Sequence, residues 1–411
     1  ISSRISRASL PVPRQAFKAK TRMMFNLKEN KFRILYISIL LLFLILFVYK
    51  NLPKEEIKNP EAYLSSFAVN SFSAVNRDAE KNKPLYDVSE IKTRKQKEKF
   101  DKSFGKELSS LLSSPLIPIS VNKMVINYEA PIDKGKYSEN KMTIATTNSS
   151  SALVYFLIPK DIKFPAPLII AMHQRGDTKY GSAEAIGNIG DETMFYGKEL
   201  AERGYFVFAM DTSTFGMRQD IINDSHEVRE NRAAQDLFEL GYSPIGITIN
   251  EDIRALDFLL NSFPEIDKNN IGCIGHSYGG VRCMYLAAID ERIKAVVLSS
   301  SVENFREPPT FGGTQTWLSI LPGIAKYTNG DAVLALISPR PLMMLYTEND
   351  PIFPKEYIEV PILKPITDLY KTLEKEENLK IGLIPNKAHE FPLEYHEQAY
   401  QFLDKHLKTN S

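Results

Sequence analysis

The chain has 411 residues, of which 43% are hydrophobic and 25% are charged, and its formal net charge is +1. This composition is that of an ordinary globular protein with room for one large domain and additional segments. Because the charge is nearly neutral, no broad basic surface is available, which argues against nucleic acid as the main partner. The sequence has no zinc-type Cys/His spacing, no P-loop and no strand-borne GxGxxG, so no metal or cofactor is predicted.

An uncharged apolar run, residues 34–49, lies near the beginning of the chain. It is slightly shorter than the ~20 residues that span a bilayer, but Arg33 and Lys50 can reach the two interfaces. Residues 1–33 are rich in lysine and arginine and carry the single acid Glu29. The positive-inside rule therefore predicts a basic cytoplasmic tail, a single-pass membrane anchor and a catalytic domain on the extracytoplasmic side. A cleaved signal peptide is the alternative, although no small-residue cleavage site follows directly.

Strands and helices alternate through most of the remaining chain. Residues 50–115 are polar and are predicted to form a stalk with one or two amphipathic helices, and residues 116–411 a single α/β domain. A hairpin of strands is predicted on either side of the segment NSSS. Further strands are predicted at residues 167–172, 205–210, 271–275, 293–300, 341–347 and 379–385. Helices are predicted near residues 193–202, 250–263, 279–289, 365–375 and 394–406. This alternation predicts a mostly parallel sheet covered by helices on both faces.

The segment IGCIGHSYGG, residues 271–280, turns from a buried strand into a helix at Ser277. Gly275 and Gly279 lie two residues away on either side and leave space that side chains would fill. This G-x-S-x-G pattern is typical of a nucleophile elbow, in which a strained turn exposes the serine hydroxyl at the top of a sheet. The bare pattern arises by chance in about one chain in ten. An acid and a histidine later in the chain are therefore needed to support the assignment of a nucleophile.

A serine hydroxyl needs a histidine that takes its proton, and that histidine needs an acid that fixes its tautomer. The expected chain order is serine, acid, histidine. His389 lies in a loop after the last predicted strand, whereas His396 and His406 lie on the final helix, where packing or solvation is expected. The predicted acid is Asp350 in the turn TENDPIFP, and Glu348 is the alternative because both side chains could reach the same place.

The predicted oxyanion hole consists of two backbone N–H groups. One belongs to Tyr278, directly after the nucleophile, and the other to the loop HQRG after the first parallel strand. In that loop Arg175 is the first choice of donor and Gln174 the second. His173 is expected to tie down its own loop, and His276 to be the variable residue of the elbow. The two cysteines lie in the strand before the elbow and the helix after it, where buried, unpaired side chains are expected.

The segments HQRG, DTSTFGMR, IGCIGHSYGG, LAAIDERIKAVVLSS, ISPRPLMMLYTENDPIFP and AHEFP together resemble the α/β-hydrolase superfamily, most closely its dienelactone-hydrolase and acetyl-xylan-esterase-like branch. The resemblance spans about residues 100–408 and implies an α/β-hydrolase fold with Ser277, Asp350 and His389 as a catalytic triad. Two features depart from the branch. Gln174 stands where glycine is usual, and dienelactone hydrolases use a cysteine nucleophile, so their substrate does not carry over.

The expected function is therefore the hydrolysis of carboxylic esters by a membrane-anchored serine hydrolase through an acyl-enzyme. The resemblance implies small acyl groups on a small-molecule or glycan ester. One alternative is a peptidase or amidase, because SYGG also occurs in prolyl-oligopeptidase-type enzymes, although no propeller-period repeat is present. Another is a non-catalytic binding module of the same fold. The predicted irregular inserts at residues 211–247 and 301–335 are expected to define the substrate pocket, and Trp317 and Phe311 are possible wall residues or core residues.

Overall fold

The structure, a computed structural model, describes residues 83–408 except residues 117–118, 220–224 and 307–315. The chain divides into two units, Ile1–Ser71 and Phe72–Ser411, and every described residue belongs to the second. The predicted cytoplasmic tail and membrane anchor lie outside the described residues, so both stay predictions. Within the described part of the chain, no helix has the length and apolar character needed to cross a membrane.

Ten strands of the described residues form one sheet. They are β1 (Val125–Tyr128), β2 (Ile132–Asp133), β3 (Tyr137–Ala145), β4 (Ser151–Pro159), β5 (Ala166–Met172), β6 (Phe206–Met210), β7 (Ile266–His276), β8 (Ile293–Ser299), β9 (Leu342–Thr347) and β10 (Leu379–Ile384). Their order is β1-β3-β4-β6-β5-β7-β8-β9-β10, and β2 pairs with β3. The strands from β6 to β10 in this order pair in parallel, and β1 to β4 add antiparallel pairs at one edge.

The predicted parallel strands are therefore all present, within a few residues of the predicted bounds. The main difference is β7, which begins at Ile266, whereas the sequence predicts a strand from residue 271 preceded by a polar segment. Its central residues Ile271, Cys273 and Ile274 are fully buried. A strand buried on both faces carries an apolar run without alternation, which is why its buried part could be predicted and its polar beginning could not.

Helices of the described residues cover the two faces of the sheet. They are α1 (Arg94–Leu111), α2 (Ser182–Ala185), α3 (Tyr196–Glu202), α4 (His226–Glu239), α5 (Pro244–Ser262), α6 (Tyr278–Ile289), α7 (Ile324–Tyr327), α8 (Gly330–Ile337), α9 (Lys364–Thr372) and α10 (His396–Leu407). Phe100, Phe104 and Leu108 of α1 repeat every fourth residue and are buried in the larger hydrophobic cluster. The helix therefore packs against α6 and α8 through one apolar stripe.

The two inserts are not irregular throughout, as the sequence indicated. The first insert holds α4, whose N-terminus is capped by the Ser225 side chain through the Val228 N–H. The helix α5 begins at Pro244, several residues earlier than predicted, because Ser243 caps it and proline fits the first helical turn. The second insert holds α7 and α8. The helix α4 is mostly polar and buries Glu230 and Ala234 instead of an apolar stripe, which concealed it from the sequence pattern.

Cys273 of β7 and Cys283 of α6 form a disulfide bond, with their Cα atoms 5.7 Å apart. The expectation of unpaired cysteines is therefore wrong, whereas the expectation of burial is confirmed, since both side chains are 0% exposed. The tight elbow folds α6 back along β7. Two cysteines that are ten residues apart in the chain thereby come within the Cα–Cα distance that a disulfide requires. Sequence spacing alone does not reveal this approach.

Replacing both cysteines with alanine should lower the free energy of unfolding by about 2–3 kcal/mol, because the bond restricts a short loop of the unfolded chain. Urea unfolding of the full-length protein and of the Cys273→Ala/Cys283→Ala variant, without reductant, measures the difference. As a control, thiol titration of the unfolded wild-type protein should find no free thiol. Equal unfolding midpoints, or two reactive thiols in the wild type, would contradict the prediction.

Candidate active site

Ser277 occupies the turn between β7 and α6 with φ 53° and ψ −126°, a conformation that non-glycine residues rarely adopt. The Ser277 N–H donates to the Ser299 carbonyl at 2.8 Å. A Cβ at Gly275 would lie 2.3 Å from the carbonyl carbon of Gly279, and a Cβ at Gly279 2.1 Å from the Met172 carbonyl oxygen. The structure therefore has the strained strand-to-helix turn that the G-x-S-x-G spacing predicted, and both glycines are required by close backbone contacts.

Ser277, His389 and Asp350 lie in one hydrogen-bonded chain at the carboxyl edge of the sheet. The Ser277 Oγ is 2.8 Å from the His389 Nε2, and the His389 Nδ1 is 2.9 Å from the Asp350 Oδ2. Ser277 follows β7, Asp350 follows β9 and His389 follows β10, so three parallel strands bring together residues that are far apart in the chain. This arrangement allows the serine proton to pass to an imidazole that a carboxylate orients.

Asp350 is held as an ionised carboxylate. Its side chain is buried, and it accepts hydrogen bonds from the N–H groups of Ile352 at 2.8 Å and Phe353 at 3.0 Å and from the Thr347 hydroxyl at 3.2 Å. Burial by itself raises the pKa of Asp350, but the His389 imidazole and these backbone N–H groups outweigh it and lower the pKa to about 2. The group that faces His389 is therefore negatively charged at every pH at which the protein is expected to act.

Glu348, the alternative acid, has other partners. Its carboxylate lies 3.2 Å from the Lys355 Nζ and accepts the Asn386 N–H at 3.0 Å. These two contacts, the Asn386 N–H first, hold the pKa of Glu348 below its ordinary value. The structure thus brings Asp350, and not Glu348, to the His389 imidazole.

The His389 ring packs between two other rings. Its centroid is 4.7 Å from that of His276 and 5.6 Å from that of Phe353. His276 is buried, and its Nδ1 is 3.1 Å from the Ser299 Oγ. Burial lowers the pKa of His276 to about 3, so this ring stays neutral beside His389. The sequence treated His276 as a variable residue, and no local signal reveals its contact with a loop more than 100 residues away.

His173 ties down the loop that carries the predicted oxyanion donors. Its Nδ1 donates to the Gln174 carbonyl at 2.8 Å, and its Nε2 accepts the Thr212 N–H at 3.3 Å. Because the ring is fully buried, its pKa falls to about 3 and it remains neutral. The histidine joins the end of β5 to the end of β6, which is the structural position that the sequence predicted.

The predicted oxyanion donors surround the serine. Tyr278, Arg175 and Gln174 line the same pocket as Ser277. Tyr278 is the first residue of α6, where a backbone N–H has no acceptor within the helix and is available to an anion. The Gln174 side chain donates to the Glu184 Oε2 at 3.1 Å, which fixes the orientation of the residue that replaces glycine in this loop.

Glu230 of α4 connects both inserts to the oxyanion loop. Its carboxylate, 2% exposed, accepts a hydrogen bond from the Arg175 Nε at 3.1 Å, and the Arg175 Nη2 lies 3.1 Å away in an ion pair. The Thr316 hydroxyl also donates to it, and the His226 Nδ1 lies 3.5 Å away. Because Glu230 lies in a helix that the sequence did not predict, its role was missed. The buried carboxylate holds the Arg175 side chain and therefore restrains the loop beside Ser277.

Exchanging Glu230 for glutamine should lower kcat for ester hydrolysis about tenfold, because loss of the ion pair releases Arg175 and displacement of catalytic groups by even 1 Å is costly. We expect KM to change less than kcat. Steady-state kinetics with p-nitrophenyl acetate measure both values. Glu227→Gln, an exposed carboxylate on the same helix, is the matched control and should behave as the wild type. A tenfold loss in both variants would show that the charge of α4, and not the contact with Arg175, is responsible.

The pocket at Ser277 has a volume of about 230 Å³. One wall is apolar and is formed by Val281, Ile352 and Phe353, whereas Glu303 and Ser319 supply polar atoms from the second insert. Trp317, a possible wall residue, is not part of this lining; its ring contacts that of Phe238 at 6.3 Å. Phe311 lies outside the described residues. Within the described ranges, no group of three or more His, Cys, Asp or Glu side chains is arranged to hold a metal ion.

This fold and site define an α/β hydrolase, and the chain belongs to the Abhydrolase family, whose profile matches residues 61–350. YtaP of Bacillus subtilis (strain 168), which is named as a hydrolase, is 28% identical to it over 260 residues, covering 62% of this chain and 84% of YtaP. The resemblance to the α/β-hydrolase superfamily that the motifs indicated is confirmed.

Solved structures show the same fold. A Bacteroides fragilis NCTC 9343 protein named as an acetyl xylan esterase superposes with a TM-score of 0.62 at 18% identity, covering 76% of this chain and 82% of that one. A glucuronoyl esterase from Solibacter usitatus superposes with a TM-score of 0.53 at 15% identity, covering 73% and 91% of the two chains. The predicted likeness to acetyl xylan esterases is thus confirmed at the level of the fold.

Proposed function

We propose that the protein is a serine esterase that cleaves carboxylic esters through an acyl-enzyme. The observation that carries this proposal is the hydrogen-bonded chain from Ser277 through His389 to Asp350, which lies at a pocket that residues of the predicted oxyanion loop also line. A serine without a base would be unreactive, whereas this chain supplies the base and the acid that orients it.

In the first half-reaction the Ser277 Oγ attacks the ester carbonyl carbon while its proton passes to the His389 Nε2. The carbonyl oxygen becomes an oxyanion, which the N–H groups of Tyr278 and Arg175, or Gln174, stabilise. Collapse of this intermediate expels the alcohol, which takes the proton from His389. In the second half-reaction a water molecule loses its proton to the His389 Nε2, attacks the acyl-enzyme and releases the acid, and the proton returns to Ser277.

Small acyl groups on a small-molecule or glycan ester are the proposed substrates. A pocket of about 230 Å³ is small for a long acyl chain. The names of the structural neighbours, acetyl xylan esterase and glucuronoyl esterase, also point to esters of carbohydrate origin.

We also propose that the enzyme is anchored by residues 34–49 with its catalytic domain on the extracytoplasmic side. The apolar run and the basic residues before it support this orientation. The Cys273–Cys283 disulfide supports it independently, because disulfides persist mainly in oxidising compartments.

A labelling experiment on the full-length protein tests the mechanism. A fluorophosphonate should form a covalent bond to the Ser277 Oγ with loss of fluoride, and peptide mass spectrometry should locate the adduct at that residue. In parallel, p-nitrophenyl acetate should be hydrolysed faster than the octanoate, and a p-nitroanilide much more slowly than either. Faster anilide cleavage would favour a peptidase, and a folded protein without labelling or turnover would favour a binding module.

A further inference from the structure

Glu303 is a carboxyl group in the pocket that the proposed mechanism does not use. It lies on the segment that follows β8, and its side chain is 3% exposed while lining the same pocket as Ser277 and His389. A carboxylate that is this deeply buried needs a compensating cation or several hydrogen-bond donors. The surroundings of Glu303 therefore decide in which protonation state it is stable.

Among the described residues that line the pocket, no side chain supplies Glu303 with an unpaired positive charge. Arg175 and His389 line the pocket, but Arg175 pairs with Glu230 and His389 with Asp350. The Ser319 hydroxyl is the hydrogen-bonding neighbour of the Glu303 carboxyl and lowers its pKa, but burial has the larger effect, and the same hydroxyl also donates to the Thr316 carbonyl at 3.0 Å. Burial is therefore the largest influence on the Glu303 carboxyl, and it favours the neutral carboxylic acid.

Two further titratable groups lie near this residue. Tyr285 of α6 feels the charge of Glu303, and its hydroxyl is buried without a partner among the described residues. Asp331 of α8 follows Gly330, which packs against the Glu303 carbonyl oxygen, and it is itself buried and acidic. Neither supplies positive charge. Burial accordingly raises the pKa of Glu303 to about 8, so the group is protonated at neutral pH.

We propose that the protonated Glu303 is a specificity-determining residue that donates a hydrogen bond to an oxygen of the bound ester other than the reacting carbonyl. The pocket would then select esters that carry an ether, hydroxyl or second carbonyl oxygen over purely alkyl esters. Val281, Ile352 and Phe353, which line the same pocket, offer only apolar side-chain contact. This inference rests on the proposed esterase function.

Ionisation of Glu303 removes this donor and introduces a negative charge close to the developing oxyanion. Both changes oppose catalysis, because the oxyanion hole acts in a site of low dielectric constant, where a like charge is poorly screened. Because the pKa of Glu303 is raised, the Glu303 O–H donor is present below about pH 8 and is lost as the pH rises through that value.

The test uses pairs of isosteric esters that differ by one oxygen. The acyl pair is p-nitrophenyl methoxyacetate and p-nitrophenyl butanoate, and the alcohol pair is 2-methoxyethyl acetate and butyl acetate. The ratio of kcat/KM within each pair is compared among the wild type, Glu303→Gln and Glu303→Leu, which cancels the intrinsic reactivity of each ester. Glu356→Gln, an exposed carboxylate outside the pocket, serves as the control.

In at least one pair, Glu303→Leu should lose about tenfold of the preference for the oxygen-containing ester, since a net hydrogen bond is worth about that factor. Glu303→Gln, which keeps a neutral donor, should retain the preference and should lose the fall in kcat/KM that the wild type shows above pH 8. If the leucine variant does not fold, the pH profile of the glutamine variant decides. Unchanged ratios in both pairs, or an identical alkaline fall in Glu303→Gln, would overturn the proposal. Failure of the esterase function itself is distinguishable, because the wild type would then show neither turnover nor fluorophosphonate labelling.

Discussion

Exchanging Ser277 for alanine should lower kcat for p-nitrophenyl acetate by about 10⁶-fold, because no acyl-enzyme can form without the hydroxyl. A residual rate above that in water should remain, since the oxyanion donors and the pocket are untouched. KM should change little. The comparison needs active-site titration of the wild type, so that both rates refer to folded, competent protein. A variant that retains more than a few per cent of the activity would exclude Ser277 as the nucleophile.

Asp350→Asn extends this test to the acid and should lower kcat by about 10⁴-fold. The amide carries no charge to stabilise protonated His389. Its NH₂ group can also donate to the His389 Nδ1, which favours the tautomer that has its proton on Nε2 and cannot accept the serine proton. Glu348→Gln is the matched control from the same turn, and its activity should stay within about twofold of the wild type, because Glu348 contacts Lys355 and Asn386. The reverse result, with Glu348→Gln inactive and Asp350→Asn active, would assign the acid to Glu348.

The sheet and the three residues that follow its strands could be predicted because their signals are local. An apolar run such as that of β5 or β8 identifies a buried parallel strand, and the elbow glycines identify the turn at Ser277. The chain order of serine, acid and histidine then limits the choice to a few side chains. Asp350 and Glu348 remained alternatives, because one turn positions both and only the partners in the fold distinguish them.

The remaining features depend on contacts between distant segments. The Cys273–Cys283 bond depends on how closely α6 folds back on β7, and the contact between the His276 and His389 rings depends on where the loop after β10 meets the end of β7. Glu230 and Glu303 lie in inserts without a strong apolar period, so neither could be connected with the pocket from the sequence. Buried polar residues of this kind carry no local pattern, since their partners come from other parts of the chain.

If the proposed function holds, we expect substrate selection to depend mainly on the two inserts, whose structure the sequence pattern predicts least well. The strands place Ser277, Asp350 and His389, but Glu230 holds the oxyanion loop and Glu303 supplies the polar wall. Both acids come from segments inserted after the strand ends, where loops of α/β proteins form ligand sites. Changes in these inserts can alter the preferred ester while the reacting groups remain in place.

Gly279→Ala is expected to destabilise the protein strongly. The added methyl group would lie 2.1 Å from the Met172 carbonyl oxygen and 2.8 Å from the His173 carbonyl oxygen. These are backbone atoms at the end of β5, so the clash cannot be relieved by a side-chain rotation. We expect a loss of about 3 kcal/mol or more in the free energy of unfolding, at the upper end of the cost of overpacking. Urea unfolding of the full-length protein measures this loss.

The same substitution should also reduce kcat by more than the fraction of unfolded protein explains. Met172 and His173 directly precede the loop with Gln174 and Arg175, so the methyl group pushes the oxyanion donors away from Ser277, and such displacements cost about 100-fold. Gly105→Ala is the matched control. Gly105 lies in α1, and the added methyl group would contact the Leu336 Cδ2 at 3.8 Å, which is an ordinary van der Waals distance. Because alanine favours a helix more than glycine does, this variant should be more stable by about 1 kcal/mol. If both variants have the same urea unfolding midpoint as the wild type, the prediction that α6 approaches β5 closely at the elbow is contradicted.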